Sequence, residues 1–342
     1  MDRKETLGSL PPRILPWYDE NKRSLPWRID RDPYRVWVSE IMLQQTRVEA
    51  AKDHYVRFLR ELPDVRALAE CPEEKLMKLW EGLGYYSRAK NMRKAAREIL
   101  ARGGFPERAE DLEKLSGIGK YTAGAIASIA FEQPSPAVDG NVVRVLARIL
   151  GDAEAQDVLR KRYFAELAPA YPEKRRGDFT QSLMELGATV CLPASPKCLL
   201  CPVRDVCATQ SDALPAKREK PERKETQMTV FVFENGRGIW LGKRGSGVLS
   251  GMAEFYNTEG RLTEAEAEAY LQNAGLASFS LRRAGAHKHV FTHLVWHMTA
   301  YAVRTEEDLS ALPAFSSLRF YDKKQAEEKI SLPSAFRWCM KY

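Results

Sequence analysis

The sequence lacks the features that would place it in several large classes. No apolar run reaches the roughly 18 residues of a membrane span, so a membrane protein is not expected. The start, Met1 to Glu5, carries no apolar stretch of the secretory kind, and a cytoplasmic location follows as an expectation. Six cysteines in 342 residues are too few for a disulfide-rich scaffold, and four of them fall within 17 residues. There is no internal repeat and no low-complexity segment. Between about Pro33 and Val190 almost nothing reads as strand.

A chain this long exceeds the size at which one core stops growing, so two domains are expected. The 44% hydrophobic and 29% charged composition is that of a soluble globular protein. A formal charge of +7 favours a polyanionic partner. Apolar residues recur at helical spacing over 36–51, 73–81, 87–102, 121–131, 140–150 and 179–190, with Gly and Pro between the runs. Residues 211–226 are polar and charged, with two prolines, and read as a linker. Beyond them, Met228–Phe233 and Ile239–Leu241 are β-branched and aromatic runs joined through Asn235-Gly236, a hairpin signal. Residues 263–274 then read as helix and 290–303 as strand. The expected domains are a helical one over 1–210 and a small mixed α/β one over 227–342.

Cys191, Cys198, Cys201 and Cys207 bring four thiols within reach of one centre, in a loop stiffened by Pro193, Pro196 and Pro202. Four thiolates suit a tetrahedral zinc or an iron-sulfur cluster, and the chemistry alone leaves both open. A structural role is favoured over a redox one. Leu115-Ser116-Gly117-Ile118-Gly119-Lys120 places two glycines in a tight turn before a helix. There the backbone can approach a ligand closely, and the helix N-terminus offers N–H groups to an anion. The alternative is an ordinary corner between helices.

Glu40 has Val36 and Trp37 one turn behind it and Leu43 ahead. A carboxyl on that stripe is desolvated and can hold a proton near neutrality, unless it reaches water at the edge of the face. Asp139 precedes the helix Gly140–Leu150, where an N-cap is the plain reading.

Several segments together resemble a known family. The cysteine spacing, following Glu185-Leu186-Gly187-Ala188-Thr189-Val190, is similar to that of the endonuclease III superfamily of DNA glycosylases. The stretch Leu25-Pro26-Trp27-Arg28 followed by Asp32 to Thr46, the run Gly82-Leu83-Gly84-Tyr85-Tyr86, and Val138-Asp139-Gly140-Asn141-Val142 resemble the MutY family of adenine DNA glycosylases. The resemblance spans about the first 207 residues and implies an all-α helix-hairpin-helix glycosylase domain with one 4Fe-4S cluster on the four cysteines. Glu40 would protonate adenine at N7 as general acid, and an ionised Asp139 would stabilise the positive sugar, a division of labour that parallels two-carboxylate glycoside hydrolysis.

Bifunctional relatives use a lysine where this chain has Tyr121, which forms no imine, so hydrolysis without a lyase step is implied. Tyr121 and Asn141 would hold Asp139 and the substrate. Gly117, Gly119 and Lys120 would contact DNA phosphate, with Ser116 in place of the usual proline loosening the turn. The resemblance further assigns Gln45 and Tyr85 to intercalation, and Thr46 and Leu83 to the surroundings of the opposing base. Arg23, Leu25, Trp27, Arg28, Leu43 and Gln181 would form the adenine pocket.

Gly247 to Phe255 resembles the region before the Nudix hydrolase signature, but the glutamate run that binds Mg²⁺ is missing. Glu264, Glu266 and Glu268 alternate on a helix instead. The family carries such a Nudix-like domain to recognise 8-oxoguanine. Phe291, Thr292 and His293 would do so here, although the family has serine at the position of Thr292 and a large aromatic at that of Ala253. His287, His289 and His293 could otherwise suggest a metal, but no nearby cysteine or carboxylate completes the set. The expected partner is duplex DNA holding adenine opposite 8-oxoguanine or guanine, bound by a monomer. The alternatives are a glycosylase-lyase for oxidised pyrimidines and a non-catalytic DNA-binding protein.

Overall fold

A computed structural model describes residues 2–216 and 222–342; part of the expected linker, 217–221, lies outside the described residues. In the first 190 residues the chain forms α1 (Arg3–Gly8), α2 (Leu10–Asn21), α3 (Pro33–Leu43), α4 (Val48–Glu61), α5 (Val65–Glu70), α6 (Glu73–Leu79), α7 (Ser87–Ala101), α8 (Ala109–Leu112), α9 (Lys120–Phe131), α10 (Gly140–Leu150), α11 (Gln156–Glu166) and α12 (Arg176–Thr189). There follow β1 (Lys224–Glu234), β2 (Gly238–Lys243), β3 (Ala253–Glu254), β4 (Tyr256–Glu259), α13 (Glu264–Asn273), β5 (Ser280–Val290), β6 (Leu294–Arg304), β7 (Arg319–Asp322), α14 (Lys323–Glu328) and α15 (Ser334–Arg337). No helix among the described residues is long and apolar enough to cross a membrane.

By contacts the chain divides into two compact units, Met1–Cys71 with Lys90–Glu219 and Pro72–Ala89 with Lys220–Tyr342. In the first, α9 lies between α3 and α12, and α12 also packs on α10 and α2. α9 can be this central because it is small-sided: Ala123, Gly124, Ala125, Ala127 and Ser128 are all buried and let neighbouring backbone come close. The apolar stripe of α10 (Val142, Val143, Leu146, Ile149) packs with Ile14, Phe179 and Leu183 into a second layer of core.

The second unit is built on a seven-stranded mixed sheet of order β3-β2-β1-β6-β5, with β4 paired to β1 and β7 to β2. β1 and β6 run parallel and the other pairs antiparallel. Side chains alternate across a strand, so both faces of β1 are apolar and both are covered. Val230 and Val232 face Phe336 and Cys339, whereas Phe231 and Phe233 face Ala267 and Leu271 of α13.

Two expected elements differ. The single helix over 36–51 is broken between α3 and α4, where Gln45 takes a left-handed φ of 57° that no helix interior accepts. The single strand over 290–303 is a hairpin: β5 ends at Val290, the chain turns through 291–293, where Phe291 N–H donates to the Leu294 carbonyl at 2.8 Å, and β6 begins. Thr292 and His293 in that turn are adjacent exposed polar residues, so the turn interrupts the β-branched and aromatic run that reads as one strand.

Candidate active site

α3 starts at Pro33, with Asp32 capping the Arg35 N–H at 3.0 Å, and this fixes which face turns inward. On that face Glu40 is buried among Trp37, Val38 and Ile41 rather than reaching water. Tyr121, in the first turn of α9, donates its hydroxyl proton to Glu40 Oε2 at 2.6 Å. Burial lifts the Glu40 carboxyl to about 7; the Tyr121 hydrogen bond pulls it back down and the neighbouring Asp139 pushes it up.

Asp139 is the N-cap of α10, its Oδ1 accepting from the Val142 N–H at 2.7 Å. Its Oδ2 accepts from Asn141 Nδ2 at 2.8 Å, so the carboxylate that caps the helix keeps a second oxygen for a side-chain partner. Burial raises the Asp139 carboxyl too, opposed by the hydrogen bonds from Val142 and Asn141. Arg144, one turn along α10, holds Asn141 in place: its Nη2 donates to Asn141 Oδ1 at 2.9 Å and to the Gly187 carbonyl at 2.7 Å. α12 can approach this closely because residue 187 is glycine, where a Cβ would stand 2.7 Å from Asn141 Cβ.

Glu40, Tyr121, Asp139 and Asn141 line one cavity of about 640 Å³, and Arg23, Leu25, Trp27, Arg28, Leu43 and Gln181 line it with them. Gln45 and Thr46 also lie along it. Trp27 is both core and lining, buried and edge-on to Tyr55. The sequence reading missed Glu185. Its side chain is 0% exposed and accepts from Arg23 N–H at 3.0 Å, Arg23 Nε at 2.7 Å, Arg23 Nη2 at 2.9 Å and Arg28 Nη2 at 2.8 Å. These bonds hold its carboxyl at about 2, ionised, despite burial. A glutamate among Leu183 and Leu186 on the buried face of α12, with two arginines expected in the pocket, was the available signal.

The glycine turn before α9 leaves Gly117, Gly119 and Lys120 exposed. Gly117 has φ of 76°, and a Cβ there would stand 2.6 Å from Asn91 Cβ, so glycine is required for both conformation and space. Ser116 does not loosen the turn. Its N–H and its hydroxyl donate to the Glu98 carboxylate of α7 at 2.8 and 2.7 Å, and proline could make neither bond. Lys120 Nζ lies 4.6 Å from the centre of the Phe164 ring.

The four loop cysteines are free thiols lining one pocket, together with Val145, Leu186 and Val190. Buried Arg148 of α10 braces that loop, donating to Cys191 Sγ at 3.3 Å, to the carbonyl of Leu192 at 2.7 Å and to that of Pro193 at 3.1 Å. Arg144 Nε adds a bond to the Cys191 carbonyl at 2.8 Å. Among the described residues no three His, Cys, Asp or Glu side chains are gathered as the ligands of a single ion.

In the second unit Leu83 and Tyr85 share a cleft of about 500 Å³ with Phe291, Thr292 and His293. The Tyr85 and Thr292 hydroxyls are hydrogen-bonded to each other. Phe291 packs edge-on against Trp296, with ring centres 4.8 Å apart. His287 stacks on Trp338, and His289 meets Phe291 edge-on. Ala253, without the bulk of an aromatic, packs half-buried against the core around Phe255. Glu266 serves as half of a capping box with Thr263 at the start of α13.

Residues 38–170 match the family model described as HhH-GPD superfamily base excision DNA repair protein, and residues 229–342 the NUDIX domain model. An adenine DNA glycosylase of Rattus norvegicus is 33% identical, over 95% of this chain and 76% of its own length. One from Buchnera aphidicola subsp. Acyrthosiphon pisum is 31% identical over 85% of each chain. The match to the Arabidopsis thaliana adenine DNA glycosylase, 36% identical over 82% of this chain, takes in 55% of that protein. Among solved structures, a thermostable thymine-DNA glycosylase superposes with a TM-score of 0.55 at 27% identity, over 60% of this chain and 97% of its own. Endonuclease III in a DNA complex does so at 0.52 and 21% identity, over 61% of this chain and 97% of its own, a likeness of fold.

Proposed function

The chain belongs to the adenine DNA glycosylases, and from that premise we propose that it removes adenine paired with 8-oxoguanine or guanine in duplex DNA by hydrolysing the N-glycosidic bond. The observation that carries the reading is the pair of carboxyls lining one cavity, Glu40 buried and Asp139 half-buried, with Glu40 lifted to about 7 and so able to hold a proton at neutral pH. An everted adenine in the cavity accepts that proton at N7. The bond from C1′ to the base then breaks, with the electron pair leaving on adenine. The Asp139 carboxylate stands against the positive sugar until water adds at C1′ and gives up a proton. Tyr121 orients Glu40 through its hydroxyl, and Asn141 orients Asp139. Among the described residues no lysine lines this cavity; where the family resemblance puts the lyase lysine this chain has Tyr121, and Lys120 lies against Phe164.

Cys191, Cys198, Cys201 and Cys207 would ligate a 4Fe-4S cluster, whose ligand bonds tie the loop into one piece. The free thiols around a shared pocket fit such a group. The choice of cluster over zinc rests on the family resemblance, since four thiolates suit either. Residues 1–210 would act as the glycosylase domain and 227–342, beyond the linker 211–226, as the domain that reads 8-oxoguanine through Phe291, Thr292 and His293. Gln45, Thr46, Leu83 and Tyr85 would engage the opened duplex, and Gly117, Gly119 and Lys120 its phosphates. The protein would work as a monomer in the cytoplasm, at the nucleoid through its DNA.

Alkali-revealed strand breaks on duplexes with adenine opposite 8-oxoguanine, adenine opposite thymine, and thymine glycol test the reading. Cleavage confined to the first supports it, and cleavage confined to thymine glycol overturns it. Borohydride trapping tests the hydrolytic assignment separately, since an efficient adduct dependent on Lys120 would refute it.

A further inference from the structure

Glu81 follows α6 and is only 14% exposed, and its carboxylate receives donors from that helix and from the distant C-terminal tail. Lys78 Nζ stands 3.0 Å from Oε2, while Arg337 Nη2 at 2.9 Å and the Leu332 N–H at 3.0 Å both meet Oε1. Lys78 extends the tie, donating to the carbonyls of Glu327 at 2.5 Å and Ile330 at 3.1 Å. The C-terminal tail is thereby fastened to the residue just before the loop that carries Leu83 and Tyr85.

That loop is an unusual conformation held from several sides. Gly82, Gly84 and Tyr85 all have positive φ, of 96°, 67° and 46°, and for tyrosine this is strained. Trp80 Nε1 donates to the Gly84 carbonyl at 3.1 Å. Arg88 Nη2 donates to those of Leu83 at 2.8 Å and Gly84 at 3.1 Å. At the far end the Tyr85 hydroxyl bonds to Thr292. The loop is therefore pinned at both ends, to the tail through Glu81 and to the β5–β6 turn through Tyr85, with the 500 Å³ cleft between the pins.

We propose that Glu81 is a positioning residue for recognition of the base opposite adenine. It joins the Leu83–Tyr85 loop to the tail so that the loop and the Phe291–His293 turn keep a fixed spacing across the cleft. This rests on the reading that the cleft receives the opposing base. Glu81 touches neither adenine nor the reacting atoms, so its loss acts on discrimination and not on the chemical step.

The test measures single-turnover adenine removal by the full chain, opposite 8-oxoguanine and opposite guanine, in the wild type, Glu81→Gln and Arg337→Gln. The rate ratio between the two duplexes is expected to fall about tenfold in Glu81→Gln, the worth of one charge-assisted hydrogen bond. A smaller fall is expected in Arg337→Gln, and removal opposite guanine should be unchanged in both. Merely structural damage slows both duplexes together and leaves the ratio alone. A wild-type ratio retained by both variants overturns the proposal. A wild type with no preference overturns the opposing-base reading beneath it. Arg337 is 55% exposed and its variant has no core to disturb, so it decides the matter if Glu81→Gln does not fold.

Discussion

At the scale of single residues the site is governed by two buried glutamates treated in opposite ways. Glu40 has one hydroxyl donor and feels Arg28 only through space, without a hydrogen bond, so burial wins and its carboxyl rises to about 7; Glu185 is hydrogen-bonded by two guanidinium groups, so pairing wins and its carboxyl falls to about 2. The rate of adenine removal should therefore fall as pH rises through about 7, where Glu40 loses the proton it donates. Glu40→Gln should abolish that limb, lower the rate by about 10²–10⁴-fold and leave DNA affinity intact; a retained rate would refute the acid role. The same shift has a sign in stability. A carboxyl whose folded value is raised stabilises most at low pH and loses that contribution as pH rises through the folded value. Glu40→Gln should thus unfold at higher denaturant than the wild type above pH 7. For Glu185 the sign reverses: its contribution is present above the unfolded carboxylate value and lost as pH falls towards 2. Glu185→Ala should cost about 3 kcal/mol at neutral pH, because it strands two arginines beside an emptied buried site. Denaturant midpoints would check both.

Elements carry what residues cannot do alone, and α10 and the glycine turn are the clearest cases. α10 presents Asp139 at its first turn, Arg144 at its second and Arg148 near its end, so one rigid helix links the carboxylate to the cysteine loop. Ser116→Pro, a change towards the pattern of the family, should destabilise the protein by roughly 1–2 kcal/mol, since it deletes two hydrogen bonds to Glu98. Chemical denaturation would measure it, and a stabilised variant would show that the brace contributes nothing. Helical periodicity made α3, α7, α9, α10 and α12 readable, and the glycine and cysteine spacings made their turns readable. Periodicity did not reveal the break at Gln45, because Thr46, Val48 and Ala51 keep up an apolar rhythm across it; only a backbone angle marks the break. Nor did it reveal Arg144 and Arg148. An arginine at helical spacing reads as a solvated face until the facing carbonyls of Gly187, Cys191 and Leu192 are known. Glu185 stayed hidden for the same reason, as its partners lie more than 150 positions away.

For the whole molecule, the formal charge of +7 and the base-reading groups should be separable by experiment. Phosphate contacts release counterions and carry no sequence information, whereas contacts in a cleft or cavity read bases and are screened far less. Affinity for an undamaged duplex should therefore fall steeply with salt, by about 10³-fold or more between 50 and 200 mM if some six phosphates are neutralised. Affinity for a duplex with adenine opposite 8-oxoguanine should fall along a parallel line, so that the ratio of the two stays constant with salt. Binding titrations at several salt concentrations would decide this. If the ratio collapsed with salt, discrimination would itself be electrostatic, and the apolar walls around Leu83 and Phe291 would not be what reads the opposing base. If it held, the charge would serve to bring the protein onto DNA and the cleft and cavity would do the choosing. The Thr292 hydroxyl gives a check on the second outcome, because Thr292→Val removes the bond to Tyr85 without altering charge. It should lower the ratio at every salt concentration while leaving both slopes unchanged.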